Sequence, residues 1–389
     1  AGLRDYWDAV LASPTAAGMF LWSFADEGLV RTDQGGRIDN VGNLAPDDIV
    51  GPHHEREGSF YAIKELWSPV QIDVCEIMPV DWDGGLTVSN RYEFTELDEC
   101  SLRWRLLRDQ GPGSIALEEV GAGTIGLPAI APGESGTVQI PLPQDPGNAD
   151  ILHLTALGPG GEELWTSSTM VGAPPATKVR ESKRVGHPAV FKPELIAYRR
   201  YDRKFIPVDL PPDILTTEWG KLSDGAWRLD YRYSIKGEFD IAGIRILGPE
   251  TVFRSKRWLG RGPYRVWQNR MEGGVLDIHE VAWNDSTPGE TFVYPEFNGY
   301  FRDWRWLSLE TAVGPIKVEN ISSVPFLGLG KPRDGVNGLL DLPDIGLAFL
   351  DVIPAMRNKG ISAEKLGPQS QTRTIGEEKS GTLIFRFDP

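Results

Sequence analysis

The first 67 residues alternate between helix-like and strand-like patterns. GLRDYWDAVL at 2–11 places apolar side chains at helical spacing, and SPTAAG at 13–18 interrupts it. MFLWSFA at 19–25 is a continuous apolar run, typical of a strand that is covered on both faces. After a loop rich in Gly, Asp and Asn, EREGSFYAIKELW at 55–67 again has helical spacing. Helix, buried strand, long loop and helix together indicate one unit of an α/β barrel, which we assign to residues 1–68.

The pattern changes at residue 69 to short strands separated by Gly, Pro and Asp turns. The strand-like stretches are VQIDVCEIMP, GGLTVSNRYEF, CSLRWRLLRD, SGTVQIPLP and DILHLTALG. This spacing predicts a small β-sandwich over residues 69–175. Within CSLRWRLL, strand alternation places Leu102, Trp104 and Leu106 on one face.

The remaining chain divides into a linker and a second strand-rich region. GAPPATKVRESKRVGHP is rich in Pro and charge and has no periodicity, so residues 176–190 are predicted to be a linker. From 191 to 389, strand-like stretches return with turns such as LSDGAW and SIKGEFD. The sequence therefore predicts a mainly β protein that ends in a large β-sandwich.

Charge and composition exclude several function classes. The formal net charge is −15, whereas a protein that binds nucleic acid needs a basic surface, so we expect no nucleic-acid partner. No run approaches the roughly 18 apolar residues of a membrane helix, so we expect no membrane span. Cys75 and Cys100 are too few for a disulfide framework or a zinc site. They could pair, but we favour two separate buried thiols. The 13 Trp suit either a sugar-binding surface or a large β core.

Several stretches, in this order, resemble enzymes of glycoside hydrolase family 2, the β-galactosidase-like enzymes. GMFLWSFADEGL resembles their eighth barrel strand, usually written Gly-Gly-Phe-(Ile/Val)-Trp-Asp-Trp-x-Asp-Gln. LTVSNRYEFTELDECSLRWRLL with GTIGLPAIAPGESGTVQIPLP resembles the immunoglobulin-like domain that follows the barrel. RWLGRGPYRVWQNR, YPEFNGYFRDWRWLSLE and LGPQSQ resemble the terminal sandwich. The resemblance implies the last βα unit of a (β/α)8 barrel, an immunoglobulin-like β-sandwich over 69–175, and a galactose-mutarotase-like supersandwich over 191–389.

The resemblance also implies site residues. Trp22 matches the tryptophan that forms the floor of the galactose pocket, and Asp26 matches an acid that organises the pocket; a core tryptophan and a loop cap are their alternatives. Ser23 and Phe24 depart from the family's Asp and Trp. Asp47 falls near an asparagine that binds a monovalent cation, and a solvated loop acid is its alternative. The chain itself is expected to hold no cofactor, whereas the parent enzyme would bind Mg²⁺ or Na⁺.

In this family both catalytic glutamates lie on earlier barrel strands. The resemblance therefore implies the C-terminal part of a retaining glycosidase that acts on terminal β-D-galactosides or related β-glycosides. We expect no catalytic residue in this chain and no activity from it alone. Its expected partners are a β-galactoside or related oligosaccharide and the upstream part of the barrel, in the same parent or in another chain.

A stand-alone carbohydrate-binding β-sandwich without catalysis is the alternative function. The sequence leaves several further questions open. One is the oligomeric state, for which a homo-oligomer is one option. Another is the compartment, which for a bacterial protein would be the periplasm or the cytoplasm. The last is whether the chain is a natural product or a piece of a longer enzyme.

The terminal-sandwich motifs contain further polar residues. In RWLGRGPYRVWQNR, the guanidinium groups of Arg261 and Arg265 could pair with carboxylates, and YPEFNG contains the carboxylate of Glu296. We expect these motifs to have mainly structural roles.

Overall fold

A computed structural model describes most of the chain. The described residues are 2–39, 48–79, 81–142, 149–172, 183–186, 191–248, 253–283, 296–312, 314–322, 324–332, 340–356 and 367–387. The prediction of a mainly β fold built from sandwiches is confirmed. The chain splits into two compact units. Unit 1 comprises Ala1–Ala62, Glu181–Gly274 and His279–Pro389, and unit 2 comprises Ile63–Arg180 and Val275–Ile278.

The described residues form two α-helices and 26 strands, numbered here in chain order. The helices are α1 (Gly2–Ala12) and α2 (Gly58–Trp67). The strands are β1 (Leu29–Arg31), β2 (Arg37–Asp39), β3 (Val70–Asp73), β4 (Ile77–Met78), β5 (Gly85–Asn90), β6 (Ser101–Arg108), β7 (Glu118–Gly126), β8 (Ser135–Gln139), β9 (Ile151–Leu157), β10 (Glu163–Val171), β11 (Lys183–Val185), β12 (Glu194–Tyr201), β13 (Lys204–Pro207), β14 (Leu215–Lys221), β15 (Trp227–Tyr233), β16 (Gly237–Phe239), β17 (Ile241–Leu247), β18 (Phe253–Gly262), β19 (Val275–Ala282), β20 (Gly299–Arg302), β21 (Trp306–Thr311), β22 (Gly314–Asn320), β23 (Phe326–Leu329), β24 (Leu347–Val352), β25 (Arg373–Ile375) and β26 (Lys379–Phe387). Short 3-10 turns occupy Thr32–Gln34, Leu97–Glu99 and Pro368–Ser370.

The N-terminal segment forms both predicted helices but not the predicted strand. The helices α1 and α2 lie where the helical spacing placed them. The apolar run 19–25 forms no strand, and Phe20 and Trp22 are 103% and 90% exposed. A strand of a parallel sheet needs hydrogen-bonding neighbours on both edges. In the described part of the chain only an isolated bridge, Ala25 to Val50, supplies one.

Unit 2 contains a three-stranded sheet, β3-β5-β8, and a five-stranded sheet, β4-β10-β9-β6-β7. The predicted alternation in β6 is confirmed, because Leu102, Trp104 and Leu106 are 0%, 4% and 0% exposed. Trp165 on β10 donates its indole N–H to the carbonyl of Val70 on β3, over 2.7 Å. This bond connects the two sheets across a shared apolar core.

The two cysteines are separate, as favoured, but only one of them is buried. Cys100 is a buried free thiol in the core of unit 2, and Cys75 is an exposed free thiol. The prediction that both are buried is therefore wrong for Cys75. Cys75 lies between β3 and β4, outside either strand, and the pairing of β3 does not extend to it.

Unit 1 contains an eight-stranded sheet, β11-β14-β15-β26-β22-β21-β18-β19, and a six-stranded sheet, β13-β12-β17-β24-β23-β20. Its main core draws side chains from both sheets. Phe349 of β24 lies edge-on to Phe385 of β26, with ring centroids 6.1 Å apart, and Trp304 stacks on the same Phe349. Such aromatic pairs add about 0.5–1.5 kcal/mol to the free energy of area burial.

Part of the predicted linker has regular structure. Residues 183–185 form β11, which pairs antiparallel with Lys221–Trp219 at the edge of the eight-stranded sheet. The rest of residues 176–190, apart from Gly186, lies outside the described residues. No described helix is long and apolar enough to cross a bilayer.

Candidate functional site

The segment that contains Trp22 and Asp26 is held by a short backbone ladder. The amide of Asp26 donates to the carbonyl of Val50 over 2.9 Å, and the amide of Val50 donates to the carbonyl of Phe24 over 3.1 Å. On its other side, Val50 bridges Arg56 in antiparallel orientation. Three stretches of backbone therefore lie side by side, although none of them is a full strand.

Asp48 fixes the same segment through its polar groups. The hydroxyl of Ser23 donates to Asp48 Oδ2 over 2.8 Å. The amide of Asp48 in turn donates to Asp26 Oδ1 over 2.9 Å, and Asp26 is only 4% exposed. Ser23 replaces the family's Asp and here acts as a hydrogen-bond donor to a carboxylate. Sequence reasoning missed Asp48, and the only available signal was its place in an Asp-Asp pair after a proline.

Trp22 projects into solvent beside these polar groups. Its side chain is 90% exposed. Phe24 is 60% exposed and contacts His54 edge-on, with ring centroids 5.6 Å apart. His53 and His54 are exposed loop residues. An accessible indole can stack on the apolar face of a pyranose, and neighbouring carboxylates can accept bonds from sugar hydroxyl groups.

Two acidic side chains, Asp26 and Glu296, lie close enough to Glu57 to act on it electrostatically. The sequence did not predict this acidic cluster. Burial, and then the negative charges of Asp26 and Glu296, raise the pKa of Glu57 to about 8. Arg270 acts in the opposite direction. Burial also raises the pKa of Glu296, against the lowering effect of Arg265. Glu57 lies at the start of the helix-like stretch 55–67 and belongs to none of the family motifs, so only the fold could bring it beside Asp26.

Two cations of unit 1 are also buried near Glu296. Arg265 is 5% exposed and places Nε at 2.5 Å from Glu296 Oε2. Lys256 is 1% exposed, and its ammonium group donates to the carbonyl of Phe297 over 2.6 Å. The same ammonium lies 3.5 Å from the ring centroid of Phe301. Burial lowers the pKa of Lys256 well below its ordinary value.

The predicted pairing of the motif arginines with carboxylates is confirmed. Arg261 pairs with Asp303, with Nε at 2.5 Å from Oδ2, and Arg265 pairs with Glu296. The first pair joins β18 to the residue that follows β20, and the second joins the turn after β18 to the stretch before β20. We therefore assign structural roles to both ion pairs.

Asp47 lies outside the described residues. Among the residues that the structure describes, no group of three or more His, Cys, Asp or Glu could hold a metal ion. The expectation of Mg²⁺ or Na⁺ in the parent enzyme stays a prediction.

Comparisons with known proteins agree with the predicted resemblance. Residues 86–170 match the family model described as β-galactosidase, domain 4. This region extends from β5 to β10 in unit 2. A β-galactosidase of Aeromonas hydrophila subsp. hydrophila is 25% identical over 163 residues, which are 37% of this chain and 16% of that protein. The chain thus matches far less than two thirds of its relative's length.

Solved structures of an exo-chitosanase are also similar. The exo-chitosanase CsxA of Amycolatopsis orientalis is 9% identical, with a TM-score of 0.23, over 87% of this chain and 26% of that chain. A complex of a variant of CsxA with PNP-β-D-glucosamine is 10% identical and also has a TM-score of 0.23. The match to the family model and the similarity to the relative show that the chain contains a β-galactosidase-like region.

Proposed function

We propose that this chain is the C-terminal part of a retaining, β-galactosidase-like glycoside hydrolase that acts on terminal β-D-galactosides or related β-glycosides. In this proposal Trp22 forms the floor of the sugar pocket, and Asp26 organises the polar groups beneath it. The catalytic glutamates come from the upstream part of the barrel. A retaining enzyme needs two carboxyl groups about 5–5.5 Å apart, one on each side of the scissile bond.

The observation that carries this proposal is the position of the Trp22 indole. The side chain is 90% exposed, whereas its segment is fixed by Asp48 and by the ladder at Val50. Phe20 and Phe24 of the same stretch are also exposed, and a group of exposed apolar side chains is typical of a binding surface. The match to a β-galactosidase model in the adjoining sequence supports a sugar as the ligand.

The test compares two exposed tryptophans in the enzyme assembled with its barrel part. Trp22→Ala is expected to lower kcat/KM for an aryl β-galactoside by about 10–100-fold, which corresponds to roughly 1.4–2.7 kcal/mol of lost transition-state binding. Trp283→Ala is the matched control, because Trp283 is 41% exposed and directly follows β19, distant in the chain from Trp22. Equal activity of both variants and the wild type would contradict the proposal.

A second measurement separates this function from the binding-module alternative. The 389-residue chain alone is expected to give no turnover of the aryl β-galactoside. Turnover that a substitution within the chain abolishes would place catalytic residues here. Saturable sugar binding by the isolated chain, without any activity after addition of the barrel part, would favour the carbohydrate-binding protein.

A further inference from the structure

We propose that a proton on Glu57 holds the Trp22 segment against the large sandwich of unit 1, and that this segment opens when the proton is lost. The Trp22 segment is defined as residues 20–26 together with the stretch 48–57. The inference goes beyond the proposed function and does not depend on it, because it concerns contacts within unit 1 and needs no sugar.

The backbone connects Glu57 to the residues around Trp22. Glu57 directly follows Arg56, which bridges Val50, and Val50 bonds to the backbone on both sides of Ala25. A displacement of the backbone at Glu57 therefore acts on the ladder that holds the Trp22 segment.

Contacts with the sandwich fix the position of the turn that contains Glu57. The phenol of Tyr264 donates to the carbonyl of Arg56 over 2.8 Å, and the ring of Tyr61 lies 5.3 Å from that of Tyr264. A Cβ at Gly58 would be in ordinary van der Waals contact with Arg270, 3.4 Å from its guanidinium carbon, so this turn packs against the loop 264–270. The turn that contains Glu57 can therefore release its side chain to water only by separating from the loop 264–270.

The charges around Glu57 are mainly negative. Four charged groups act on it most strongly, and three of them are carboxyls. The four groups are Asp26, Glu296, Arg270 and Glu55. Glu296 also has the guanidinium of Arg265 beside it. Glu57 Oε1 is buried and has no hydrogen-bond partner among the described residues. A carboxylate in such a place is unfavourable, whereas a neutral carboxyl group is tolerated.

The remaining titratable groups nearby do not replace Glu57 in this role. Burial raises the pKa of the Tyr264 phenol above its ordinary value, so it stays neutral near pH 7. Arg56 is exposed and lies over the ring of Phe60. His53 and His54 are exposed and lie within four residues of Glu57 in the chain, so the test must separate them from Glu57.

The size of the effect follows from linkage. The pKa of Glu57 is about 8 in the closed segment and returns to about 4.5 when the side chain reaches water. Because the closed state binds the proton more tightly, closure is favoured at low pH and is lost as the pH rises towards 8. Between pH 6 and pH 8 the opening equilibrium should increase roughly 50-fold.

The test is hydrogen exchange of the full 389-residue chain at pH 6, 7 and 8, corrected for the intrinsic pH dependence of amide exchange. In the wild type, protection of residues 20–26 and 48–57 should fall roughly 50-fold across this range, while β21 and β22 keep theirs. Glu57→Gln, a neutral isostere, should remove this pH dependence. Glu27→Gln is the matched control, because it changes an exposed acid next to Asp26 and should behave like the wild type.

Three outcomes would overturn the proposal. One is pH-independent protection of the Trp22 segment in the wild type, which needs no variant at all. Another is a pH step that survives in Glu57→Gln, since that variant keeps both histidines. The last is loss of the step in the double variant His53→Gln, His54→Gln, which keeps Glu57. A step that persists in this double variant and is absent from Glu57→Gln supports the proposal.

Discussion

Arg265 and Glu296 form an ion pair inside unit 1, with Arg265 Nε at 2.5 Å from Glu296 Oε2. Their side chains are 5% and 14% exposed. The pair joins the turn after β18 to the stretch before β20. A buried pair contributes little compared with a well-packed apolar pair, but loss of one partner leaves an isolated charge in the interior.

Arg265→Met is therefore expected to lower the free energy of unfolding of unit 1 by about 3–5 kcal/mol, as measured by urea denaturation. The double variant Arg265→Met, Glu296→Leu should lose less than the sum of the single variants, because it removes both members of the pair. Arg257→Met is the exposed control and should cost under about 1 kcal/mol, since the carboxylate of Glu280 is 58% exposed. Additive losses in the double variant would contradict the coupling.

Sequence reasoning succeeded where a local pattern decides the structure. The period of 2 in β6 placed Leu102, Trp104 and Leu106 in a core, and helical spacing found α1 and α2. In each case the side chains that set the pattern lie on the element that they predict.

It failed where the structure depends on partners distant in sequence. The run 19–25 has the composition of a buried strand, but composition supplies no neighbouring strand, and Phe20 is fully exposed. Asp48 and Glu57 acquire their roles only because the fold places them beside Ser23 and Asp26. Of the predicted site, Trp22 and Asp26 belong to one described segment, and their roles in sugar binding stay predictions.

The N-terminal segment should exchange amide hydrogens faster than either sandwich. None of the described residues of α1 is buried, and Phe20 and Trp22 project into solvent. Helices of this length are marginal in water without tertiary contacts. Hydrogen exchange of the isolated chain should show weak protection over residues 2–18, intermediate protection over residues 20–26 at pH 6, and strong protection in β6, β9 and β21. Protection of residues 20–24 equal to that of β21 in a verified monomer would contradict this picture.

Truncation of two tryptophans should change the free energy of unfolding by very different amounts. Trp104 is 4% exposed in the core of unit 2, so Trp104→Ala should lower the free energy of unfolding by about 3–5 kcal/mol. Trp22→Ala should change it by less than about 0.5 kcal/mol, because the side chain is 90% exposed. Thermal denaturation of both variants beside the wild type checks this pair. An unchanged melting temperature for Trp104→Ala would show that this residue does not support the sandwich.

Two glycines of β7 test the packing of Trp104 from the opposite strand. Gly123 pairs with Trp104, and a Cβ at this position would lie 2.9 Å from the indole nitrogen and 3.0 Å from two ring carbons. The indole is a rigid ring in a close-packed core, so Gly123→Ala must displace it or the strand. We expect a loss of about 1–3 kcal/mol in the free energy of unfolding of unit 2, measured by urea denaturation. Gly126 ends the same strand with no atom within 4 Å of its added Cβ, so Gly126→Ala should be nearly neutral. Equal stability of the two variants would mean that the indole of Trp104 does not occupy the space above Gly123.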